Sequence, residues 1–492
     1  MNKKKLLKGL LQHNYFPAQK KTKEEMPPVF SSTSLSIPIA ESIHKQKKRK
    51  DKNYSGYGYV EYKATKFNNV PRYFGIPHPK AHIDLTFTIV DSWDLLKSKV
   101  TSKQGRITPK SHADGRVIIM DYEASYLKSI RHLESSFSKN FLVKTDISSC
   151  FPSLYSHALP WALVGMDVAK KKKSFKWRGE WFNKLDEATR WQRRNETQGV
   201  LVGPATSNIL SEVILCKVDT LLSKRFHFER YIDDYSCYTD TYEKAEEFVR
   251  CLSQELKVFN LHLSPAKTII TQLPISLNDD WTSELLTSLP KQEEPSLAAL
   301  IGFLDKALSI QRVHTNGSVI KYAAKAIISK ACGNRRKGIA KYLLGLSLHY
   351  PVLIPVYEGL LDEIYLEYNV DYKQELIVLL EDRILNQSSD GICWVLYYLR
   401  KTKNEVDAGL AAKIVSTEDT VSMALLGVNK NFRPILVQFC NKLSKTDFYA
   451  FDRHWLLLYQ LYMTSEIENP YPQDKTFELL KKGGVNFVDD WV

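Results

Sequence analysis

The sequence predicts an α+β fold: a small antiparallel sheet backed by helices in the first part of the chain, then an all-α half arranged as HEAT-like repeats or as a bundle. Three observations predict it. Between about residues 70 and 275 helix-like stretches alternate with short strand-like runs such as FLVKTD and RYIDDYSCY. Past about residue 290, apolar residues recur at i, i+3, i+4 and i+7 with almost no strand alternation, as in SLAALIGFLDKALSI, QELIVLLEDRILNQ and GICWVLYYLRKT. The 492 residues, at roughly 100 to 200 per domain, allow two to four separate cores. The expected units are residues 1–70, 71–290 and 291–492.

In order along the chain, residues 1–70 carry KKRKDK (Lys47 to Lys52), MPPVFSS and the Tyr-Gly-rich NYSGYGYVEY without sustained periodicity, and read as an extended arm with loops. The opening MNKKKLLKGLLQHNYF has a basic start, but Lys8, Gln12 and His13 break its apolar run, so it is no secretory signal. No run of about 18 apolar residues occurs, which argues against a membrane span. In the helical half, the polar breaks GNRRKG, NVDYK and NQSSDG recur at intervals that suit a solenoid of roughly 40-residue units, with a compact bundle as the alternative. The seven cysteines are odd in number, scattered and without a C-x-x-C pair, which disfavours a disulfide framework or structural zinc and suggests a reducing cytoplasm.

Charge narrows the partners. The 69 Lys and Arg against 55 Asp and Glu leave +14, a balance that favours phosphate backbones. One basic cluster, Lys170 to Lys173, precedes Trp177, Trp181 and Trp191, a combination that tracks and stacks single strands or, equally, makes a solvated loop anchored by tryptophans.

Four segments carry candidate chemistry. RYIDDYSCY sets Asp233 and Asp234 at the tip of a strand-like stretch; adjacent carboxylates repel and share one place best around divalent cations, as in sites with two metals roughly 4 Å apart, although an Asp-Asp pair alone is commonly a solvated turn. FLVKTDISSCFPSL delivers Asp146 at the end of a strand, a third oxygen donor suited to a hard ion such as Mg²⁺. Phe151 lies five residues further on, placed to wall a sugar pocket or simply to pack. QGVLVGPATSNILSEVILCKVD contains Gln198, Gly199, Gly203 and Pro204 and reads as a loop opening a helix, with Ser207 or Asn208 as its cap and an N-terminus suited to phosphate. LHLSPAKTII places Lys267 after a short alternating strand and a Ser-Pro turn.

In this order and spacing the four segments resemble the palm motifs of reverse transcriptases: DISSCF as motif A, QGxxxGPxxS as B, YIDD as C and LxLSPxKT as D. The resemblance makes 71–290 fingers and palm. It implies that Asp146 and Asp233 bind two Mg²⁺ ions, or Mn²⁺ in their place, with Asp234 in support and the Ile147 carbonyl as a further ligand. It further implies that Phe151 excludes a 2′-hydroxyl and so selects dNTPs, that Gln198 and Gly199 line the nucleotide pocket, and that Lys267 donates a proton to departing pyrophosphate. Upstream, RYFGIPHP matches an R-x-x-x-I-P-x-P pattern of the fingers; Arg72, Arg116 and Lys80 are candidates for triphosphate or template phosphate, Arg72 and Arg116 being named first.

A palm followed by helices, with no carboxylate series or zinc knuckle after motif D, resembles the bacterial abortive-infection (Abi) and defence-associated reverse transcriptases. That resemblance implies a cytoplasmic bacterial enzyme acting against phage, multimeric, making DNA with an RNA template or associated RNA, or with no conventional template, and responding to a phage trigger protein. If synthesis starts on a protein hydroxyl, Tyr54, Tyr57, Tyr59 and Tyr62 are candidates. A retron or group II intron enzyme, a catalytically silent scaffold that binds RNA or protein, and a viral RNA-copying polymerase are the competing readings. The last is disfavoured by YIDD where Gly-Asp-Asp is usual and by Phe151 where a second carboxylate is expected.

Overall fold

The computed structural model describes residues 1–492 except 19, 23, 48–54, 67–69, 121–124, 173–174, 277–279, 316–317, 445 and 492. Two hairpins organise the first half. β1 (Tyr59–Thr65) and β2 (Pro71–Pro77) pair antiparallel, with Thr65 opposite Pro71. β3 (Phe141–Asp146), β4 (Phe228–Tyr231), β5 (Asp234–Thr239) and β6 (Ile269–Gln272) form an antiparallel sheet in the order β4-β5-β3-β6. The helices that accompany them include α1 (Pro79–Asp91), α2 (Trp181–Trp191), α3 (Ala205–Leu222) and α4 (Tyr242–Val258). α4 shows why this layer holds. Thr241 caps it by accepting from the Lys244 N–H, and Ala245, Phe248, Leu252 and Leu256 fall on one face, buried against β3, β5 and β6.

The second half is helical, as its periodicity predicts. α5 (Leu297–Val313), α6 (Val319–Ile328), α7 (Asn334–Ser347), a 3₁₀ segment (Pro351–Tyr357), α8 (Lys373–Leu385), α9 (Ser389–Lys401), α10 (Ala408–Ser416), α11 (Thr420–Leu426), α12 (Arg433–Lys442) and α13 (Trp455–Met463) stack in two layers. One layer runs through α5, α7, α8, α10 and α12 by successive contact, the other through α6, the 3₁₀ segment, α9, α11 and α13. The repeat starting at Leu297, Asn334, Lys373 and Ala408 is close to the roughly 40-residue unit expected, so the arrangement is a solenoid rather than a bundle.

The N-terminal segment departs from the expected extended arm. A helix (Lys3–Lys8) runs into a π-helical turn (Gly9–His13), and a second helix spans Ile37–His44. Leu6, Leu10, Leu11, Tyr15 and Ile43 are fully buried. Their partners lie far along the chain: the Tyr15 hydroxyl donates to the Pro77 carbonyl at 2.6 Å, the Ser31 N–H to Phe487 at 3.1 Å and the Asp489 N–H to Val29 at 2.8 Å. Such distant contacts leave no local period to read. The boundary at 70 also fails, because β1 pairs with β2 across it.

The solenoid is tied to that first hairpin. Buried Asp390, on α9, accepts from the Thr65 N–H at 2.5 Å and from the Thr65 hydroxyl at 2.9 Å, and Trp455 donates its indole N–H to the Ile76 carbonyl at 3.1 Å. Glu24 pairs with Lys321 at 2.7 Å and with Lys325, both on α6. Among the described residues all seven cysteines are free thiols, and no helix is long and apolar enough to cross a membrane. Asp390→Ala strands two half-buried donors of Thr65 and is expected to cost about 1–2 kcal/mol in thermal or urea unfolding, with Asp390→Asn recovering part of the loss.

Candidate active site

The site is assembled by strand ends. β3 carries Asp146 to its last position, directly opposite Asp234, the first residue of β5. Between β4 and β5 the chain reverses through Ile232 and Asp233, with Tyr231 opposite Asp234. The Ile147 N–H donates to the Asp233 carbonyl at 3.2 Å, which fixes the turn to the end of β3. Three carboxylates therefore meet at one edge of the sheet, as their sequence spacing predicts.

Their mutual repulsion is visible in their acidity. Burial, then the charges of Asp146 and Asp234, push the Asp233 carboxyl up to about 6, and burial with Asp146 raises Asp234 as well. Lys267 forms an ion pair with Asp146, which raises the lysine in turn. LHLSPAKTII differs from expectation in its order of elements. Only Leu263 bridges to Ile147, Pro265–Lys267 is a 3₁₀ turn, and the strand β6 follows Lys267. The Ser264 N–H donates to the Asp146 carbonyl at 2.8 Å, so the turn is registered on β3 and delivers Lys267 to the carboxylate.

A cleft of about 580 Å³ opens over these groups, lined among others by Asp146, Ile147, Phe151, Asp233, Lys267 and Arg72. Half-buried Phe151 stands in the wall as predicted. Arg72, exposed on β2, faces the cleft together with Lys20 and Lys66, two cations the sequence reading missed. Burial and the nearby Arg72 and Lys267 lower the Lys66 ammonium, the mark of cations crowded for an anion.

Several expected residues stand elsewhere. Arg116 is corrected from phosphate ligand to brace: it is buried, bonded to Asp114 at 2.7 Å, and donates to the carbonyls of Ala18 at 2.7 Å and Lys20 at 2.6 Å, so its guanidinium has no free face. Lys80 is likewise buried and paired with Asp84 at 2.7 Å. Gln198 and Gly199 lie behind the cleft rather than in it. The Gln198 side chain donates to the Ser153 carbonyl at 2.9 Å, and the Gly199 and Val200 N–H groups donate to Leu154 at 2.7 Å and Phe151 at 2.9 Å, bracing the Phe151 segment. Gly199 sits at φ +85°, and a Cβ there would come within 2.8 Å of the Pro152 carbonyl. Val202, Gly203 and Asn208 face the cleft instead. Ser207 and Asn208 are inside α3, not its cap; the helix starts after Pro204, and the Ala205 N–H donates to the Asn14 carbonyl at 3.0 Å. Of the tyrosines, Tyr54 lies outside the described residues. Tyr57 is buried with its hydroxyl on Asp474 at 3.1 Å, Tyr62 is buried, and the half-buried Tyr59 ring is flanked by Arg193 and Arg194. Tyr59 and Tyr62 are held in the β1–β2 hairpin.

The donor set suits Mg²⁺ or Mn²⁺: it is all oxygen, and the burial and neighbouring negative charge that raise the pKa of Asp233 and Asp234 are offset by a divalent cation. Among the described residues no three acidic, His or Cys side chains already converge as a metal cluster, Asp146 being engaged by Lys267.

Residues 95–293 match the family described as reverse transcriptase (RNA-dependent DNA polymerase). This segment, 199 of the 492 residues, is similar in sequence to a reverse transcriptase domain. The match spans the palm, from Asp146 through Lys267, and excludes the β1–β2 hairpin and the solenoid. No curated protein matches the chain. Solved structures similar to it include apo telomerase from Candida tropicalis truncated from its C-terminal domain (12% identity, 50% of this chain and 56% of that one, TM-score 0.28). They also include full apo telomerase from the same organism (11%, 86% and 74%, TM-score 0.32) and the RNA-dependent RNA polymerase of a human picobirnavirus (11%, 58% and 58%, TM-score 0.27). The chain spans little more than half the length of the first of these, at 56%.

The pKa of Asp233 gives the reverse transcriptase domain a stability signature. With a folded value of about 6 above the ordinary Asp value, the folded state holds a proton that the unfolded chain releases, so stability in EDTA falls as pH rises from about 4 to 6 and is level above that. Asp233→Asn removes the penalty and is expected to raise Tm in EDTA at pH 7 by about 2 °C.

Proposed function

We propose that the protein is an RNA-directed DNA polymerase of the antiphage defence type, extending DNA from dNTPs in the cleft above Asp146, Asp233 and Asp234. The observation that carries it is the sheet register that sets Asp146 opposite Asp234 with Asp233 in the adjoining turn, beside Phe151 in the cleft wall, within a segment that matches the reverse transcriptase family. Bound divalent cations supply an activated primer hydroxyl and charge neutralisation on the pyrophosphate. The chain does the rest. Asp146 and Asp233 hold the cations and Asp234 supports them. Arg72, Lys66 and Lys20 receive the triphosphate. Phe151 stacks where the sugar lies and leaves no room for a 2′-hydroxyl. Lys267, turned toward Asp146, is the group within reach of the departing phosphate oxygen and donates its proton there.

Assignment to the defence type rests on the solenoid, which follows the palm where an RNase H or maturase domain stands in other branches, and which offers a long surface for RNA, a phage trigger protein or a second protomer. Phage dependence and self-assembly follow from that assignment.

Purified protein incubated with Mg²⁺ and labelled dNTPs, with and without RNA template and primer, tests the reading. Synthesis is expected and is lost in Asp233→Asn; a wild-type protein inert on every template and in the presence of its copurifying nucleic acid overturns it. Phe151→Val is expected to raise ribonucleotide incorporation by about 10- to 100-fold relative to dNTP, consistent with loss of a steric clash of about 1.4–3 kcal/mol. Arg72→Ala is expected to raise the dNTP KM by about tenfold with a smaller change in kcat, as for loss of a ground-state phosphate contact.

A further inference from the structure

Beneath the catalytic turn lies a group of buried charges with no part in the chemistry above. Arg230, one residue before Tyr231, is fully buried. Its Nε donates to both Asp219 oxygens at 3.0 Å, and its Nη2 to Asp219 Oδ2 and Glu212 Oε2 at 2.8 Å. Nη1 donates to Glu212 Oε1 and to the Ile232 carbonyl, each at 2.8 Å. The five N–H donors of the guanidinium are all committed. Tyr235 adds its hydroxyl to Asp219 at 3.4 Å.

This arrangement is poorly explained as a device for stability. Two carboxylates and one guanidinium bury net negative charge under an already acidic turn, and apolar side chains of similar volume commonly hold a core as well as a buried ionic triad does. Outside the triad Arg230 reaches the Cys216 sulfur at 3.8 Å, a weak acceptor, and the Ile232 carbonyl in the turn itself. Ile232 has φ +59°. Glycine is the residue that enters this region without strain, and a two-residue hairpin turn with positive φ at its first position favours it; a β-branched residue persists there only when its surroundings impose it.

We propose that Arg230 is the positioning residue of the catalytic turn: seated between Glu212 and Asp219 of α3, it grips the Ile232 carbonyl and holds the strained backbone that presents Asp233 at the end of β3, next to Asp146. α3 thereby sets the metal-ligand geometry without touching metal or substrate. The activity part of this proposal rests on the polymerase reading, and its metal-binding part does not.

The test is an EPR titration of Mn²⁺ into the full chain, wild type against Arg230→Lys, alongside kcat and dNTP KM on an RNA template. Arg230→Lys keeps a charge between the two acids but cannot also span to the Ile232 carbonyl. It is expected to weaken Mn²⁺ binding and lower kcat by about tenfold, with dNTP KM moving less than about threefold, the scale typical of lost support behind a metal ligand. Adding Ile232→Gly, which adopts the same φ without strain, is expected to restore most of both losses while leaving Tm at the Arg230→Lys value; a merely structural arginine gives no such rescue. If Arg230→Lys fails to fold, Arg230→Met with Glu212→Gln and Asp219→Asn leaves no buried charge unpaired and carries the same expectation. Unchanged Mn²⁺ affinity in the folded variant, or loss that Ile232→Gly does not relieve, overturns the proposal. Wild-type protein that binds Mn²⁺ but makes no DNA overturns the polymerase reading alone, and wild-type protein that binds no Mn²⁺ overturns both.

Discussion

Like charges gathered in a half-buried cleft set the constraint on which this structure depends. Asp146 ends β3 opposite Asp234, and Asp233 lies in the adjoining turn, so the sheet register sets three acidic residues at one end of the sheet. The surroundings are arranged to tolerate this. Lys267 answers Asp146 from one side, Lys66 and Arg72 crowd the cleft from the fingers hairpin, and Arg230 anchors the turn from below. A site that repels itself is thus held by the rigidity of the layer behind it, and its strain is available to any ligand that neutralises it.

The helical half is part of that rigidity rather than an appendage. α9 grips β1 through Asp390, and β1 leads into Lys66 at the cleft; α6 grips Glu24 beside the segment carrying Lys20. Two of the cleft's cations are therefore placed by residues whose own positions the solenoid fixes.

Much of the site was legible in the sequence because it is made of short local motifs. Asp146, Asp233, Asp234, Phe151 and Lys267 each follow from a strand end or turn that can be read within ten residues. The helical half was legible for the same reason, its apolar stripes repeating with period 3.6. What escaped depended on contacts between distant segments. Lys20 and Lys66 gave no local signal, and Gln198 and Gly199 turn away because they brace the Phe151 segment. The N-terminal segment hid its folded state because its apolar residues answer to Pro77, Phe487 and each other's neighbours rather than to a period. One signal was present and unread: Glu212 and Asp219 lie seven residues apart on one face of an otherwise apolar helix, and two buried acids so placed require a cation, which Arg230 supplies.

The return of residues 485–491 to the N-terminal segment has a consequence for the order in which the protein is made. Val485, Phe487, Val488 and Trp491 are fully buried, and the Ser31 and Asp489 backbone bonds close that seam. During synthesis on the ribosome, the first thirty residues therefore wait for their partners until almost five hundred have emerged. Tyr15 and Phe16, whose rings meet Phe487, stay uncovered on that side until that residue has been made. The strands and turn that carry Asp146, Asp233 and Asp234 are consequently made long before that seam closes, and the apolar surface left exposed meanwhile makes the young chain a natural client for chaperones.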